Sequence, residues 1–261
     1  MCRLFGYKGI SPTKLSFFLV DATNALAKQS ILDSRNISNS QGWGIGFYQN
    51  HKAFIQKRAS SASFDFNFKF LTEFIETDTM VAHIRDATVG EISDHNAHPF
   101  LYYNWIFAHN GHVSNFDLIR PLILQKIGPE LAFEILGSTD SEYMFFLFIS
   151  ILRKEVSDIT SSDIETAIVR DALSKTIQQI NSLCADVGTT EPNKINLIVT
   201  NGNVMVASRY GHSLYYAAKK KMITHDVKLF NESTNLSIRF NNPNNSLTKG
   251  KNESVVIASE T

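Results

Sequence analysis

The order of strands and helices along the chain constrains its fold more than any other feature. Segments with strand character dominate the first 110 residues, four helical segments follow between about 115 and 184, and strands return from 194 onwards. This order is typical of an α+β protein with mainly antiparallel sheets. Because two sheets of this size need helices over their outer faces, we expect a layered α/β/β/α architecture. No internal repeat or Pro/Gly-rich linker interrupts the chain, which favours a single domain over residues 1–261.

Hydrophobic periodicity predicts the individual elements. Strands are expected at 2–10, 42–48, 52–58, 79–85, 104–109, 194–200, 203–208, 213–218 and 253–259. Helices are expected at 13–33, 64–76, 115–126, 129–136, 140–154 and 162–184. The polar, Asn-rich stretch 241–252 is predicted to be a surface loop.

Composition and charge exclude several function classes. The 25 Lys and Arg balance the 25 Asp and Glu, so no electrostatic attraction favours nucleic acid or an anionic membrane. No run of about 18 apolar residues is present, and the first residues lack a signal-peptide core. Cys2 and Cys184 are the only cysteines, which argues against a disulfide framework and fits a reducing compartment. We therefore expect a cytoplasmic globular protein.

Cys2 follows the initiator methionine, and this position has two interpretations. If Met1 is removed, Cys2 carries a thiol and a free α-amine, and an α-amine with a pKa of about 7.7–8.0 can accept the thiol proton. Removal of Met1 is chemically reasonable because the cysteine side chain is small. For an isolated Met-Cys start, a small hydrophobic residue that opens a core strand is the more common case.

Two polar motifs follow buried strands, and each also has an ordinary structural explanation. Arg85 can offer a bidentate fork to a carboxylate, or it can pair with Asp86 or Glu91. Asn110-Gly111 is a common hairpin-turn dipeptide. It can also form an oxyanion hole from the asparagine amide and the glycine N–H.

The helix predicted at 140–154 begins with a capping-box spacing. Thr139 and Glu142 are the residue types expected as caps at the start of a helix. Asp140 falls in the first turn, where the helix dipole favours a carboxylate. The same position would also suit a carboxylate that holds an ammonium group, and the two interpretations are compatible.

Histidines cluster in one part of the chain and suggest a metal site as an alternative. Five of the eight histidines fall between 83 and 112, and the pairs His95-x-x-His98 and His109-x-x-His112 have spacings seen at zinc sites. These pairs are predicted on a loop and a strand end, where such spacing does not place two side chains on one face. We therefore expect no metal.

Five motifs follow one another over about residues 2–145: Met-Cys, NSQGWGIGFY, AHIRDAT…NAHPF, FAHNG and GSTDSE. In this order they resemble the motifs of the class II (N-terminal nucleophile) glutamine amidotransferases. The chain looks most like the small stand-alone members. These include enzymes of ergothioneine biosynthesis and glutathione breakdown that act on γ-glutamyl compounds. The resemblance implies the four-layer αββα sandwich of the N-terminal nucleophile hydrolases and implies no cofactor.

The resemblance also implies roles for individual residues. Cys2 would be the nucleophile with its α-amine as base, and Asn110 with Gly111 would form the oxyanion hole. The implied substrate-binding residues are Arg85 for the α-carboxylate, Asp140 for the α-ammonium group, and Thr88 in the same pocket. In this chain Gln41 stands where many relatives have aspartate before Gly-Trp-Gly.

The leading hypothesis is an amidohydrolase that cleaves the γ-amide of glutamine or of a γ-glutamyl compound through a Cys2 thioester. The alternatives are a non-catalytic protein that binds glutamine or a γ-glutamyl metabolite, and the histidine-based metal site. The expected partner is a small-molecule substrate, with neither nucleic acid nor membrane, and a homo-oligomer or a partner synthetase is left open.

Overall fold

Twelve strands and six α-helices form the part of the chain that the computed structural model describes, which is residues 2–32, 36–87, 89–219, 228–229, 235–239 and 254–259. The strands are β1 Arg3–Lys14, β2 Trp43–Gln49, β3 Lys52–Arg58, β4 Glu76–Ile84, β5 Phe100–Tyr102, β6 Trp105–His112, β7 Lys194–Thr200, β8 Val204–Ser208, β9 Tyr215–Lys219, β10 Lys228–Leu229, β11 Asn235–Arg239 and β12 Ser254–Ala258. The α-helices are α1 Leu26–Ile31, α2 Phe66–Phe74, α3 Phe116–Ile127, α4 Pro129–Ala132, α5 Asp140–Glu155 and α6 Thr166–Asp186, and a π-helical turn, Phe17–Asp21, precedes α1. In this part of the chain, no helix combines the length and apolar character needed to cross a bilayer.

The strands pair into two sheets, and every pairing among the described residues is antiparallel. One sheet has the order β10-β9-β12-β1-β4-β2-β3, and the other has the order β11-β8-β7-β6-β5. Strand β12 lies inside the larger sheet, where Ala258 pairs with Phe5 of β1. In the smaller sheet, Asn110 of β6 pairs with Asn196 of β7. Strands from the two ends of the chain are thus neighbours.

Three apolar clusters arrange these elements in four layers. One packs α3, α5 and α6 against the outer face of the smaller sheet, around residues such as Phe107 and Phe145. A second packs α1 and α2 against the outer face of the larger sheet, around Trp43 and Phe68. The third lies between the sheets and includes Leu4 and Ile198. The αββα sandwich of the N-terminal nucleophile hydrolases, expected from the sequence, is confirmed.

The predicted helix at 13–33 is wrong. Strand β1 continues to Lys14 and pairs again with β4 beyond a register shift, where Thr13 faces Thr77. Pro12 lies in the irregular stretch of this strand, where a residue without an N–H is tolerated. Only the π-helical turn and the short helix α1 follow. Sheet pairing therefore overrides the helical spacing of the apolar residues.

Other differences concern element bounds. Strand β6 extends to His112, because it pairs with β7 along its whole length, so Asn110-Gly111 lies in a strand and not in a hairpin turn. The helix predicted at 129–136 is the single turn α4, and β5 was not predicted. The hairpin at 42–58 is confirmed, with Asn50 and His51 both at positive φ in its turn. The predicted loop at 241–252 lies outside the described residues.

Candidate active site

Strand β1 brings the Cys2 thiol to the end of β4. Arg3 pairs with Ile84, so Cys2 lies beside the first residues that follow β4. The half-buried Cys2 Sγ donates to the Asp86 carbonyl at 3.3 Å and accepts from the Asp86 N–H at 3.2 Å. The backbone of one residue therefore fixes the position of the sulfur.

The protonation state of this thiol follows from its surroundings. Burial raises the pKa of the Cys2 thiol above its ordinary value, although the Asp86 backbone hydrogen bond acts in the opposite direction. At rest the sulfur is therefore protonated, and a base must remove the proton before it can act as a nucleophile.

Arg85 precedes Asp86, whose backbone holds this sulfur, and is almost fully buried. Its guanidinium donates to the backbone carbonyls of residues 89, 90 and 91, at 2.7, 3.3 and 2.9 Å. Burial lowers the pKa of the Arg85 guanidinium, while the charges of Cys2 and Asp140 raise it. Cys2 and Asp140 are thus both within electrostatic reach of Arg85, although loop carbonyls and not a carboxylate hold the guanidinium.

Asn110 and Gly111 occupy the end of β6, opposite β7. The Asn110 side chain is 4% exposed and has no hydrogen-bond partner among the described residues, so its amide is available to a ligand. Gly111 has no room for a side chain, because a Cβ there would overlap the Lys194 carbonyl on β7. An amide donor without a partner in the described part of the fold and a glycine beside it are the residue types from which an oxyanion hole can be built.

Asp140 begins α5 and ties this helix to the end of β6. Its Oδ2 accepts from the Val113 N–H at 2.7 Å, and its Oδ1 accepts from the Ser141 N–H at 2.8 Å. Thr139 caps the helix by accepting from the Glu142 N–H. The helix dipole favours the Asp140 carboxylate in the first turn. The Ser141 hydroxyl also lies within hydrogen-bond distance of Oδ1, at 3.1 Å, and the second lone pair of Oδ2 can accept from a ligand.

Five of the six candidate residues predicted from the sequence lie in the described part of the chain, and they meet at one end of the two sheets. Cys2 and Arg85 lie at the ends of β1 and β4. Gly111 and Asn110 end β6, and Asp140 joins them through Val113. The sixth, Thr88, lies outside the described residues.

Sequence reasoning assigned no role to two side chains that hold this site together. Gln41 Oε1 accepts from the Ala87 N–H at 2.6 Å, beside the Cys2 thiol anchor. Asn96 joins the loop that contacts Arg85 to the segment that precedes α5. Both side chains bond to backbone groups more than 40 residues away, except for the local Asn96 bond to Glu91. No local pattern in the sequence signals such contacts.

The histidines near the site have structural surroundings. His109 donates from Nε2 to the Lys194 carbonyl at 3.0 Å, and its Nδ1 lies 2.8 Å from the Ser141 hydroxyl. The rings of His83 and His98 lie 4.3 Å apart and are tilted by 39°, and no ring nitrogen of either has a hydrogen-bond partner of ordinary geometry among the described residues. Burial lowers the pKa of His83 to about 3 and also lowers that of His98. The described residues contain no group of three or more His, Cys, Asp or Glu that could hold a metal.

Comparison with known proteins places this geometry in a family. The sequence model of the class II glutamine amidotransferases matches residues 1–261. The chain belongs to this family. A probable glutamine amidotransferase of Saccharomyces cerevisiae is 34% identical over 227 residues, which are 80% of this chain and 64% of the yeast protein. This class II glutamine amidotransferase thus spans less than two thirds of that relative's length.

Other relatives differ in their named activities. A γ-glutamyl-hercynylcysteine sulfoxide hydrolase of Mycobacterium tuberculosis is 25% identical over 223 residues, covering 82% of this chain and 78% of that protein. A class II glutamine aminotransferase domain protein of Silicibacter pomeroyi has a similar structure, with a TM-score of 0.62, 20% identity, and coverage of 98% of this chain and 88% of the other. The glutamine phosphoribosylpyrophosphate amidotransferase of Bacillus subtilis gives a TM-score of 0.53 at 14% identity, covering 99% of this chain and 42% of the other. At these identities the structural likeness shows the fold alone.

Proposed function

We propose that this class II glutamine amidotransferase cleaves the γ-amide of glutamine or of a γ-glutamyl compound through a thioester on Cys2. The observation that carries the proposal is the meeting of Cys2, Arg85, Asp140 and the unpaired Asn110 amide at one end of the sandwich. The named activity of the mycobacterial hydrolase supports a γ-glutamyl substrate. Removal of Met1, which would free the α-amine of Cys2, is part of the proposal.

The first chemical step is attack on the γ-carbonyl carbon. The α-amine of Cys2, with a pKa near about 7.7–8.0, takes the thiol proton as the sulfur forms its bond to the carbonyl carbon. The charge that develops on the carbonyl oxygen is stabilised by the Asn110 amide and the Gly111 N–H. The proton then passes from the α-ammonium of Cys2 to the leaving nitrogen, and ammonia or an amine departs.

Water completes the cycle. It attacks the thioester carbon while the α-amine takes one of its protons, and the same two donors stabilise the second tetrahedral intermediate. Collapse releases glutamate and returns the proton to the Cys2 sulfur. The raised pKa of the buried thiol favours this protonated resting state.

Arg85 and Asp140 supply the charges that recognise the rest of the glutamyl group. We assign the α-carboxylate to Arg85, because its guanidinium is positively charged and uses only three of its five N–H donors on the loop carbonyls. We assign the α-ammonium group to Asp140, whose carboxylate is fixed by the N–H groups of Val113 and Ser141. Thr88, expected to line the same pocket, remains part of the proposal without a structural description.

The test compares the processed protein with Cys2→Ala and with Cys184→Ala as a matched control. Cys184 is the other cysteine, buried in α6 and bonded to Asn193. When glutamine or a γ-glutamyl amide is added, the parent protein and Cys184→Ala should release glutamate from it, and Cys2→Ala should not. Equal hydrolysis by Cys2→Ala would refute the role of Cys2. Binding of glutamine without turnover by the parent protein would instead support the non-catalytic alternative.

We also propose that residues 1–261 form one domain, because β12 near the C-terminus pairs with β1 near the N-terminus. A cytoplasmic location is supported by the two unpaired thiols, Cys2 and Cys184. A homo-oligomer or a partner synthetase stays a prediction, which light scattering of the purified protein and capture of a synthetase from extract would test.

A further inference from the structure

Asn96 is a buried polar side chain to which the proposed chemistry gives no role. It is 3% exposed and lies in the loop before β5. Its Nδ2 donates to the Glu91 carbonyl at 3.0 Å and contacts the Ser138 hydroxyl at 3.3 Å. Its Oδ1 accepts from the Ser138 N–H at 2.8 Å. One amide therefore joins two segments that are 47 residues apart in the sequence.

The first of these segments holds Arg85. The Glu91 carbonyl that accepts from Asn96 also accepts from Arg85 Nη1 at 2.9 Å. A carbonyl oxygen has two lone pairs, so these two bonds use both of them. The position of the Arg85 guanidinium is thus coupled through a single oxygen to the position of Asn96.

The second segment holds Asp140. Ser138, bonded to Asn96 through its N–H, lies two residues before Asp140, and Thr139 between them caps the helix α5. The same segment is fixed from the helix side, because the Glu142 carboxylate accepts from the Gly137 N–H at 2.6 Å. Asn96 thus provides a bond to this segment from the side of the Arg85 loop, in addition to the bonds from the helix.

Two glycines allow the Asn96 amide to approach both segments closely. A Cβ on Gly137 would overlap Asn96 Oδ1, and a Cβ on Gly90 would lie 2.9 Å from Asn96 Nδ2. Gly90 also has a φ of +74°, a conformation that favours glycine. Both segments thus present a glycine to the same side chain.

We propose that Asn96 is a positioning residue that sets the separation between Arg85 and Asp140. It would thereby select substrates that carry a carboxylate and an ammonium group on the same carbon. The inference rests on the proposed function, in which these two residues bind those two groups. It assigns no contact between Asn96 and the substrate.

The experiment compares Asn96→Ala with the parent protein on three amides. Glutamine carries both groups, glutaramate lacks the α-ammonium group, and 4-aminobutanamide lacks the α-carboxylate. Only glutamine needs both binding residues at a fixed separation, and a displacement of about 1 Å can cost about a hundredfold in rate. We expect kcat/KM for glutamine to fall by up to about a hundredfold, mainly through KM, and kcat/KM for the other two amides to fall much less.

Two further variants separate positioning from folding. Ser138→Ala removes one contact of Asn96 and leaves the asparagine in place, so it should give a smaller loss of the same kind. Asn201→Ala is the matched control, because Asn201 is equally buried and holds the turn at the opposite end of β7. It should lower the Tm without changing the preference among the three amides.

The change in preference among the three amides decides the proposal. A selective loss on glutamine in Asn96→Ala confirms it. An equal loss on all three amides, a loss confined to kcat, or no loss beyond that of Asn201→Ala overturns it. If the parent protein itself hydrolyses neither glutamine nor any γ-glutamyl amide, the proposed function is refuted instead. The activity of the parent protein alone distinguishes this outcome from failure of the Asn96 proposal.

Discussion

Asp140→Asn separates the structural role of this carboxylate from its proposed role in binding. Two buried N–H groups, from Val113 and Ser141, point at its two oxygens at 2.7 and 2.8 Å. In the asparagine variant one of these N–H groups must face an NH₂ group, whichever way the amide is turned. An unsatisfied buried N–H costs about 1–3 kcal/mol, and loss of the negative charge from the first turn of α5 costs about 0.3–1 kcal/mol more.

The expected free energy of unfolding is therefore lower by about 1.3–4 kcal/mol, and the Tm by roughly 3–16 °C. Loss of the charged partner for the α-ammonium group should lower kcat/KM for glutamine by a further factor of about 10–100, measured well below the Tm. Glutaramate has no ammonium group, so its kcat/KM should fall much less than that of glutamine.

Thr139→Ala is the control for Asp140→Asn, because it removes the cap of the same helix and costs about 0.5–2 kcal/mol without touching the substrate group. Thermal unfolding and glutamate release are measured on both variants. If Asp140→Asn lowers the Tm while its KM for glutamine stays at the parent value, Asp140 is only a structural residue, and the assignment of the ammonium site is wrong.

Three further predictions concern the oxyanion hole, the carboxylate site and the buried histidines. Gly111→Ala should lower kcat by about 10²-fold with little change in KM, because the added Cβ pushes the donor strand away from β7, and steady-state kinetics with an unchanged kcat would contradict this. Arg85→Lys keeps the charge but not the fork that contacts three carbonyls, so KM for glutamine should rise about tenfold or more, and an unaltered KM would exclude Arg85 from carboxylate binding. Burial lowers the pKa of His83 to about 3 in the fold, whereas an unfolded histidine has a pKa of about 6.5. Between these pH values the unfolded chain binds a proton that the folded chain does not. The free energy of unfolding should therefore fall as the pH drops from about 6.5 to about 3, by up to about 5 kcal/mol. Urea titrations across this range should show a weaker pH dependence for His83→Leu than for the exposed control His51→Asn, and equal slopes would show that His83 does not contribute.

The sequence predicts the layered fold well where periodicity and sheet pairing agree. The strands at 194–200 and 253–259 and the long helix α5 have the expected character, because each contains a run of apolar residues that is buried on more than one side. The failure at 13–33 arises because pairing of Thr13 with Thr77 is a contact between distant residues, whereas helical spacing is a local signal. Sequence spacing carries no information about such pairing.

The candidate site divides in the same way. Residues at strand ends and in the first turn of a helix, such as Arg85 and Asp140, can be found from local patterns, since an element boundary next to a charged side chain is visible in the sequence. The side chains that hold these residues in place cannot be found from local patterns. Asn96 and Gln41 act through backbone groups of distant segments, and the four unpaired ring nitrogens of His83 and His98 become apparent only once two layers are packed together.

Mass spectrometry of the protein during turnover tests the central claim most directly. The protein is mixed with glutamine or a γ-glutamyl amide, quenched in acid and digested, and the N-terminal and Cys184 peptides are compared. We predict an N-terminal peptide that lacks Met1 and carries one γ-glutamyl group on Cys2, together with an unmodified Cys184 peptide. Turnover by a protein that retains Met1, or with the γ-glutamyl group on Cys184, would contradict the mechanism.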